Sequence, residues 1–587
     1  MTKRRDSSPK GTFLRRLSER QTDPSGRRWL YVPYDQVTDA IGPLAKEDPR
    51  ELGIVLVENP WKARRRPYHR QKIALIIANL RHFALEQTAR GVAVCHVVTP
   101  AKRYASALLP LARELGPIRM MRPAERELRV DLAPLIKSGL IVEVPHEGWM
   151  TTLDQFRRSM TRGTPIWKMD SFYRLVRQET GILMEQGKPV GGKFSYDAEN
   201  RRPWKGTPAL PTPITFEEDE IKTEVAEMID RHFSDHPGSL DLKSLPVTQR
   251  DADNLWAWAK SEAIPSFGPF EDAMSRASNS LFHTRLSSLM NIGRLLPADL
   301  VRQAAALPID LSSKEGFIRQ ILGWREFVHH VHEETDGFRQ NPIPSSPRWT
   351  ARLQPGDAGY RHWSGRAWPT SIEEEIDGGA EPTFLGTGSP IPPAYWGKES
   401  GLACLDQVVK DVWREGYSHH ITRLMVLSNI AALLDVSARE LTDWFWVAYT
   451  DAYDWVVEPN VLAMGTFSVG PVMTTKPYVS GSAYIDRMSD YCSACAFDPK
   501  KTCPITRLYW SYLLRHRDRL RSNPRLSLPL ASAEKRSSQD QSRDEKVFLL
   551  VQETLARGDK LSPGHFVAVE SLTSPAKGTS AGKKSKS

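Results

Sequence analysis

Residues 53–98 read GIVLVENPWKARRRPYHRQKIALIIANLRHFALEQTARGVAVCHVV. The stretch opens on an apolar run closed by Glu58, residues 53–58, of a length suited to a strand buried on both faces. It closes on a second such run, residues 92–98. Between them, residues 68–90 place Ile73, Ile76, Ile77, Leu80 and Phe83 at helical spacing, which predicts a long helix with one apolar face. Strand, helix and strand in so short a span form the repeating unit of a parallel sheet.

The alternation continues outward. Residues 30–37 predict a strand upstream. Downstream follow a helix at 104–115, a strand at 118–122, a helix at 124–138 and a strand at 140–145. The pattern predicts an α/β doubly wound parallel sheet over residues 29–150, whose ligands belong at the carboxyl ends of its strands. Cys95 falls within a strand and reads as a small buried hydrophobe.

After Trp149 the texture changes. Residues 151–240 read as a connector, with a Gly-, Pro- and polar-rich stretch at 181–204. From 241 to 521 the strong signals are helical, interrupted at 338–398 by a stretch rich in Pro, Gly and Trp. No internal repeat is visible. Residues 1–28 read as a basic disordered arm. Residues 522–587, rich in Ser, Lys and Arg, read as a mostly disordered tail with a short helix at 546–556.

A chain of 587 residues exceeds what one core organises, so two or more domains are expected. The net charge of +10 suggests a polyanionic partner, with nucleic acid ahead of an anionic membrane. Five cysteines make no disulfide framework. The first residues are basic but lack the apolar segment of a signal peptide. The longest apolar run, near 73–80, is too short to span a bilayer. A soluble, intracellular protein in a reducing compartment is therefore expected.

Cys492, Cys495 and Cys503 form C-x2-C-x7-C, followed by Pro504, with Cys404 upstream before a helix-period segment. Four thiolates that close on one point satisfy a tetrahedral zinc or an iron–sulfur cluster. Spacing alone leaves both open.

Longer motifs are more specific. Trp324-Arg325-Glu326-Phe327, preceded by residues 317–322, resembles a segment of the photolyase/cryptochrome superfamily. Thr284-Arg285-Leu286-Ser287, with Asn291 and Gly293, looks like its flavin-phosphate loop. Residues 415–423 (EGYSHHITR), followed by Trp444 and residues 450–454, resemble its flavin-cradling helices. Three further stretches narrow the match: 187–204 (GKPVGGKFSYDAENRRPW), 458–481 (EPNVLAMGTFSVGPVMTTKPYVSG) and 491–510 (YCSACAFDPKKTCPITRLYW). With Cys404 they look like the iron–sulfur bacterial cryptochromes and photolyases, the prokaryotic (6-4) photolyases. The resemblance runs from about residue 29 to residue 519. There are departures. The first strand continues Tyr34-Asp35-Gln36 where the family usually has Gly-Asp-Gln. Residues 59–67 are basic where relatives tend to be acidic, and the loop between Cys495 and Cys503 is shorter.

The resemblance implies an all-α FAD-binding domain after the sheet domain, a 4Fe–4S cluster on Cys404, Cys492, Cys495 and Cys503, and commonly a lumazine antenna, for which Asp35 and Glu58 carry over as contacts. Arg325 and the loop Thr284, Arg285, Leu286 and Ser287 would hold the FAD pyrophosphate, with Gln320 a further candidate on the same helix. Arg423 and Asp451 would pair beside the isoalloxazine ring, where a fixed guanidinium favours the electron-donating anionic flavin. His420 would act as acid or hydrogen-bond donor to a (6-4) lesion, supported by His419. Tyr478 would border the lesion and Lys476 a phosphate. Trp444 and Trp396 would carry electrons between flavin and surface. Taken singly, each of these reads as an ordinary packing, salt-bridge or surface residue. Together they imply a light-driven DNA lyase, monomeric and cytoplasmic, acting on UV-damaged DNA by base flipping. A photoreceptor without repair activity and a zinc-stabilised nucleic-acid-binding protein are the alternatives. The long tail is compatible with signalling, while the histidine pair and the basic charge favour repair.

Overall fold

Five strands, β1 (Arg28–Tyr31), β2 (Leu52–Glu58), β3 (Ala93–Val98), β4 (Ile118–Met121) and β5 (Ile141–Val144), lie in the order β3-β2-β1-β4-β5. All are parallel. The computed structural model describes residues 11–101, 103–160, 166–340, 353–355 and 377–571. β2 is buried along its whole length, as its apolar run requires. β1 stops earlier than the apolar pattern because Pro33 has no N–H to donate and the chain turns at Tyr34 and Asp35. The doubly wound sheet expected over 29–150 is present, followed by a largely helical region.

The last three crossovers are α2 (Arg70–Ala89), α3 (Tyr104–Leu115) and α4 (Arg126–Lys137). The expected single apolar face of α2 is too modest a description. Gln71, Lys72, Asn79 and Arg81 are buried as well, because the helix is wedged between the sheet and the helical region. Its start is tied across: His69 N–H donates to the Val447 carbonyl at 2.8 Å, and Lys72 Nζ donates to the Trp446 carbonyl at 2.8 Å. These bonds set the carboxyl edge of the sheet against the helical core.

Both ends of the chain differ from expectation. Residues 12–20 form a helix, α1 (Thr12–Arg20), that buries Phe13 and Leu17 against α2. The stretch expected to be mostly disordered holds three helices, α9 (Ser527–Glu534), α10 (Ser538–Ala556) and α11 (Gly564–Ser571). Helix α10 buries Val547, Val551 and Leu555 and packs on α8 (Pro504–Arg515). The guanidinium of Arg515 lies 3.4 Å from the Phe548 ring. The composition of this stretch is polar, but one apolar stripe outweighs it. Residues 1–10 and 572–587 lie outside the described residues, as does most of the interruption at 338–398. The expected connector packs down: Arg177 donates to the carbonyls of Ile182, Leu183 and Phe194, and the Tyr196 N–H reaches Glu315.

If α10 belongs to the fold, truncating its central ring is costly. We expect Phe548→Ala to lose about 3–5 kcal/mol in a urea titration. A loss below about 1 kcal/mol would mark the helix as a loosely held appendage.

Candidate functional site

The helical region brings together residues far apart in sequence. Arg423 pairs with Asp451 through two parallel bonds, Nη1–Oδ1 at 3.0 Å and Nη2–Oδ2 at 2.9 Å. Its Nε donates to the Ser418 carbonyl at 2.8 Å, and its guanidinium lies 4.0 Å from the Tyr449 ring centroid. Burial alone would raise the Asp451 carboxyl, but Arg423 and the Ser287 hydroxyl hold it below the usual carboxylate range. Ser287 Oγ donates to it at 2.6 Å. Asn291 donates to the Asp451 carbonyl at 2.8 Å. Helix α5 (Ser287–Asn291) thereby hangs on Asp451 at both ends.

Arg325 continues the line, with its Nε 3.4 Å from Asn291 Oδ1. Burial pushes this guanidinium down to about 10, against the weak pull of Glu326. A buried cation so poorly compensated fits an anionic ligand group such as a pyrophosphate. Of the flanking loop, Leu286 is buried and Thr284 half-buried. Arg285 holds a left-handed backbone, φ 57°, and its side chain is already paired with Glu415 at 2.9 Å. Gln320 does not join Arg325. Its amide donates to Glu271 at 2.5 Å, in a separate cluster with Arg319 and Asn200. The stretches Arg319–Arg325, Thr422–Ser428 and Glu458–Gly465 wind as π-helix, a distortion that concentrates at functional sites.

That Glu271 cluster borders the histidines. His283, a residue the sequence reading passed over, bonds the Glu271 carbonyl through Nε2 at 3.1 Å. Its ring stacks on His419 at 4.4 Å and meets His420 edge-on at 5.2 Å. His419 is 2% exposed and neither ring nitrogen has a hydrogen-bond partner. Burial first, then neighbouring cations and histidines, lowers all three; His420 falls to about 3. Burial therefore favours the neutral form of both rings, in which each carries one N–H. One nitrogen from each ring lies within 4.8 Å of the others. His283 and His419 stack within 9° of parallel, so their in-plane lone pairs do not converge on one ion. Tyr478 is half-buried, its hydroxyl raised by burial and by Asp197 and Asp170.

Trp444, on α7 (Ala438–Ala448), is fully buried and Trp396 half-buried. They are joined by Trp413, which the sequence reading also missed. Its ring lies 5.9 Å from Trp444 and 5.2 Å from Trp396. Both Trp413 and Trp444 donate to the Tyr395 carbonyl at 2.9 Å, which fixes their orientation. Trp413 lies on α6 (Ala403–Glu415), the helix that begins at the Cys404 end.

Cys404, Cys492, Cys495 and Cys503 line one small cavity with Leu402, Phe497 and Ile505. Burial, with neighbouring negative groups adding to it, raises the Cys404, Cys492 and Cys503 thiols, Cys492 to about 11 beside Asp486 and Cys503 to about 12. A bound cation would relieve both effects, so the donor set fits a thiolate-ligated metal or cluster.

A larger cavity of about 470 Å³ opens at the carboxyl ends of β2 and β3. Its walls include Tyr34, Ile76, Phe233, Trp446 and Tyr453, with Lys62, Arg64 and Lys72 among them. Glu58 lines it, but Arg81 and His96 occupy the carboxylate. Burial would raise Glu58; those hydrogen bonds bring it down to about 2. Tyr34 and not Asp35 lines the cavity. Asp35 accepts from the Ala124 N–H, and burial raises it to about 6.

This combination of sheet and helical regions has known counterparts. A family profile described as "Deoxyribodipyrimidine photo-lyase-related protein" matches residues 30–244. A (6-4) photolyase of Agrobacterium fabrum is 30% identical over 514 residues, covering 85% of this chain and 94% of that protein. A cryptochrome of Synechocystis aligns with a TM-score of 0.51 at 12% identity, over 88% of this chain and 94% of that one. A class III photolyase of Agrobacterium tumefaciens aligns at 14% identity with a TM-score of 0.48, over 91% of this chain and 99% of that one. The chain belongs to the photolyase/cryptochrome superfamily, within the deoxyribodipyrimidine photolyase-related family. Among the described residues, no helix is long and apolar enough to cross a membrane.

The ion pair offers a direct check. Asp451→Asn would leave Arg423 buried with half its partner's charge-assisted bonds gone and no compensating anion. We expect about 3 kcal/mol less stability in a denaturant titration. A loss under about 1 kcal/mol would contradict the pair's central place.

Proposed function

We propose that this protein is a light-driven DNA repair enzyme, a FAD-dependent (6-4) photolyase carrying a 4Fe–4S cluster. The observation that carries the reading is the adjacency of two sets of residues: the line Arg325, Asn291, Asp451, Arg423, and the histidines His283, His419 and His420, all three of which feel the Arg423 charge. Relatedness to a protein described as a (6-4) photolyase supports the choice of lesion.

Bound FAD, reduced and excited by blue light, would supply the electron. The chain's residues do the rest. Arg325, with backbone amides of the Thr284–Ser287 loop, meets the pyrophosphate and offsets its charge. Arg423, held rigid by Asp451, places a fixed positive charge beside the ring system. His420 offers a ring N–H toward the 5′ base of the lesion, where negative charge develops on electron arrival. His419, stacked on His283, supports its neighbour's orientation. Tyr478 and Lys476 border the flipped bases and their phosphate. Basic side chains hold the flanking backbone, so binding falls with salt. Trp444, Trp413 and Trp396 make the route by which electrons reach the site from the surface. Cys404, Cys492, Cys495 and Cys503 ligate the cluster. The cavity beside Tyr34 and Trp446 has the size and aromatic lining for an antenna, a lumazine in related proteins, held by contacts other than the Glu58 carboxylate. The partner is UV-damaged DNA, met in the cytoplasm by a monomer.

Two variants test the assignments. His420→Ala should keep its flavin and bind lesion DNA, yet turn over (6-4) substrate about 10²–10⁴-fold more slowly. Near-normal turnover would remove His420 from the chemistry, and flavin loss would make it structural. Trp413→Phe should retain flavin and repair when reduced chemically, but photoreduce roughly tenfold more slowly. Unchanged photoreduction would exclude the route through Trp413.

A further inference from the structure

The four-cysteine cavity is walled partly by chain that no motif announced. Residues 399–402 run beside it: Leu402 lines the cavity, and the Gly401 carbonyl lies 4.0 Å from Cys495 Sγ. The C-terminal segment covers their other side. Leu561 N–H donates to the Ser400 carbonyl at 2.9 Å, Leu561 is 1% exposed, and Lys560 pairs with Glu399 at 2.7 Å. Gly401 sits at φ +83°, and a Cβ there would strike the Leu561 carbonyl. The missing side chain is what lets the two backbones touch.

A second contact reaches the opposite wall. Phe497, from the loop between Cys495 and Cys503, lines the cavity. Phe566 of α11 meets it edge-on, with ring centroids 5.7 Å apart at 79°. Both rings are buried. The segment is anchored from α10, where the Gln552 amide donates to Ser389 Oγ at 2.8 Å and to the Leu434 carbonyl at 3.0 Å.

We infer that residues 558–566 form a built-in cap on the metal site, clamping Gly401, Leu402 and Phe497 so that water, oxidants and chelators do not reach the sulfurs. The inference rests on the reading that the four cysteines hold a metal. Such a site loses metal through local opening, and the cap raises the cost of that opening.

The test has two parts. Iron, sulfide and zinc analysis of the wild-type chain, purified without oxygen, decides what the cysteines hold. Iron with sulfide or zinc sustains the inference, and a metal-free chain overturns it together with the metal reading. Metal loss to an added chelator in air is then followed in the wild type, in Phe566→Ala and in Leu561→Asp/Phe566→Ala. All three should start with equal metal and flavin contents. Release should be about tenfold faster in the double variant, with the single variant between. Equal release rates would overturn the cap while leaving the metal assignment standing. If the double variant is insoluble, Phe566→Ala decides alone, since it removes one ring at the end of the fold; an unchanged rate there overturns the cap.

Discussion

The ion pair between Arg423 and Asp451 ties together separate parts of the helical region. Asp451 accepts two bonds from Arg423 and one from Ser287, while its carbonyl accepts from Asn291. Asn291 in turn lies beside Arg325. Three segments, those of Asp451, Arg423 and Ser287–Asn291, therefore meet at one residue, and Arg325 adjoins them. The pair is largely removed from water, with Asp451 at 6% side-chain exposure. Such a pair is costly to assemble and costlier to break. What the cost secures is position: a guanidinium that does not move when a ligand arrives, and a second one, on Arg325, left short of anionic partners at the far end of the same line.

The sheet was legible because its strands are buried on both faces. Apolar runs between helix-period segments have few other readings, and β2 and β3 fall within a residue of the runs that announce them. The motifs around Arg325, Arg423 and the cysteines were legible only through resemblance, since no spacing rule places residue 325 beside residue 291. The cysteine cavity was foreseen as a set of ligands but not as a closed space. Composition misled at both ends of the chain. The stretch after residue 521 looks polar on average, yet Val547, Val551 and Leu555 recur at helical spacing and are buried. A moving average hides a stripe that a periodicity count would have found.

Other misses have a common cause. His283 and Trp413 belong to no motif that was recognised, and each acts through a ring packed against a residue more than a hundred positions away or on another element. Stacking partners leave no trace in local sequence. Glu58 is the reverse case. The sequence offers a carboxylate at the end of a strand, where ligands bind, but Arg81 and His96 already satisfy it. A candidate contact is only as available as its neighbours leave it. Gln320 is likewise already engaged, its amide donating to Glu271.

Under the proposed function, the site of the ion pair and the histidines reverses DNA damage in light. The most direct measurement uses the purified wild-type protein, with its chromophore reduced, and two oligonucleotides of one sequence, carrying either a (6-4) photoproduct or a cyclobutane dimer. Each is held under blue light or in darkness, and restored bases are counted. The account predicts restoration of the (6-4) substrate in light alone. Failure to restore either lesion, by a preparation whose flavin is bound and reduced, would contradict it.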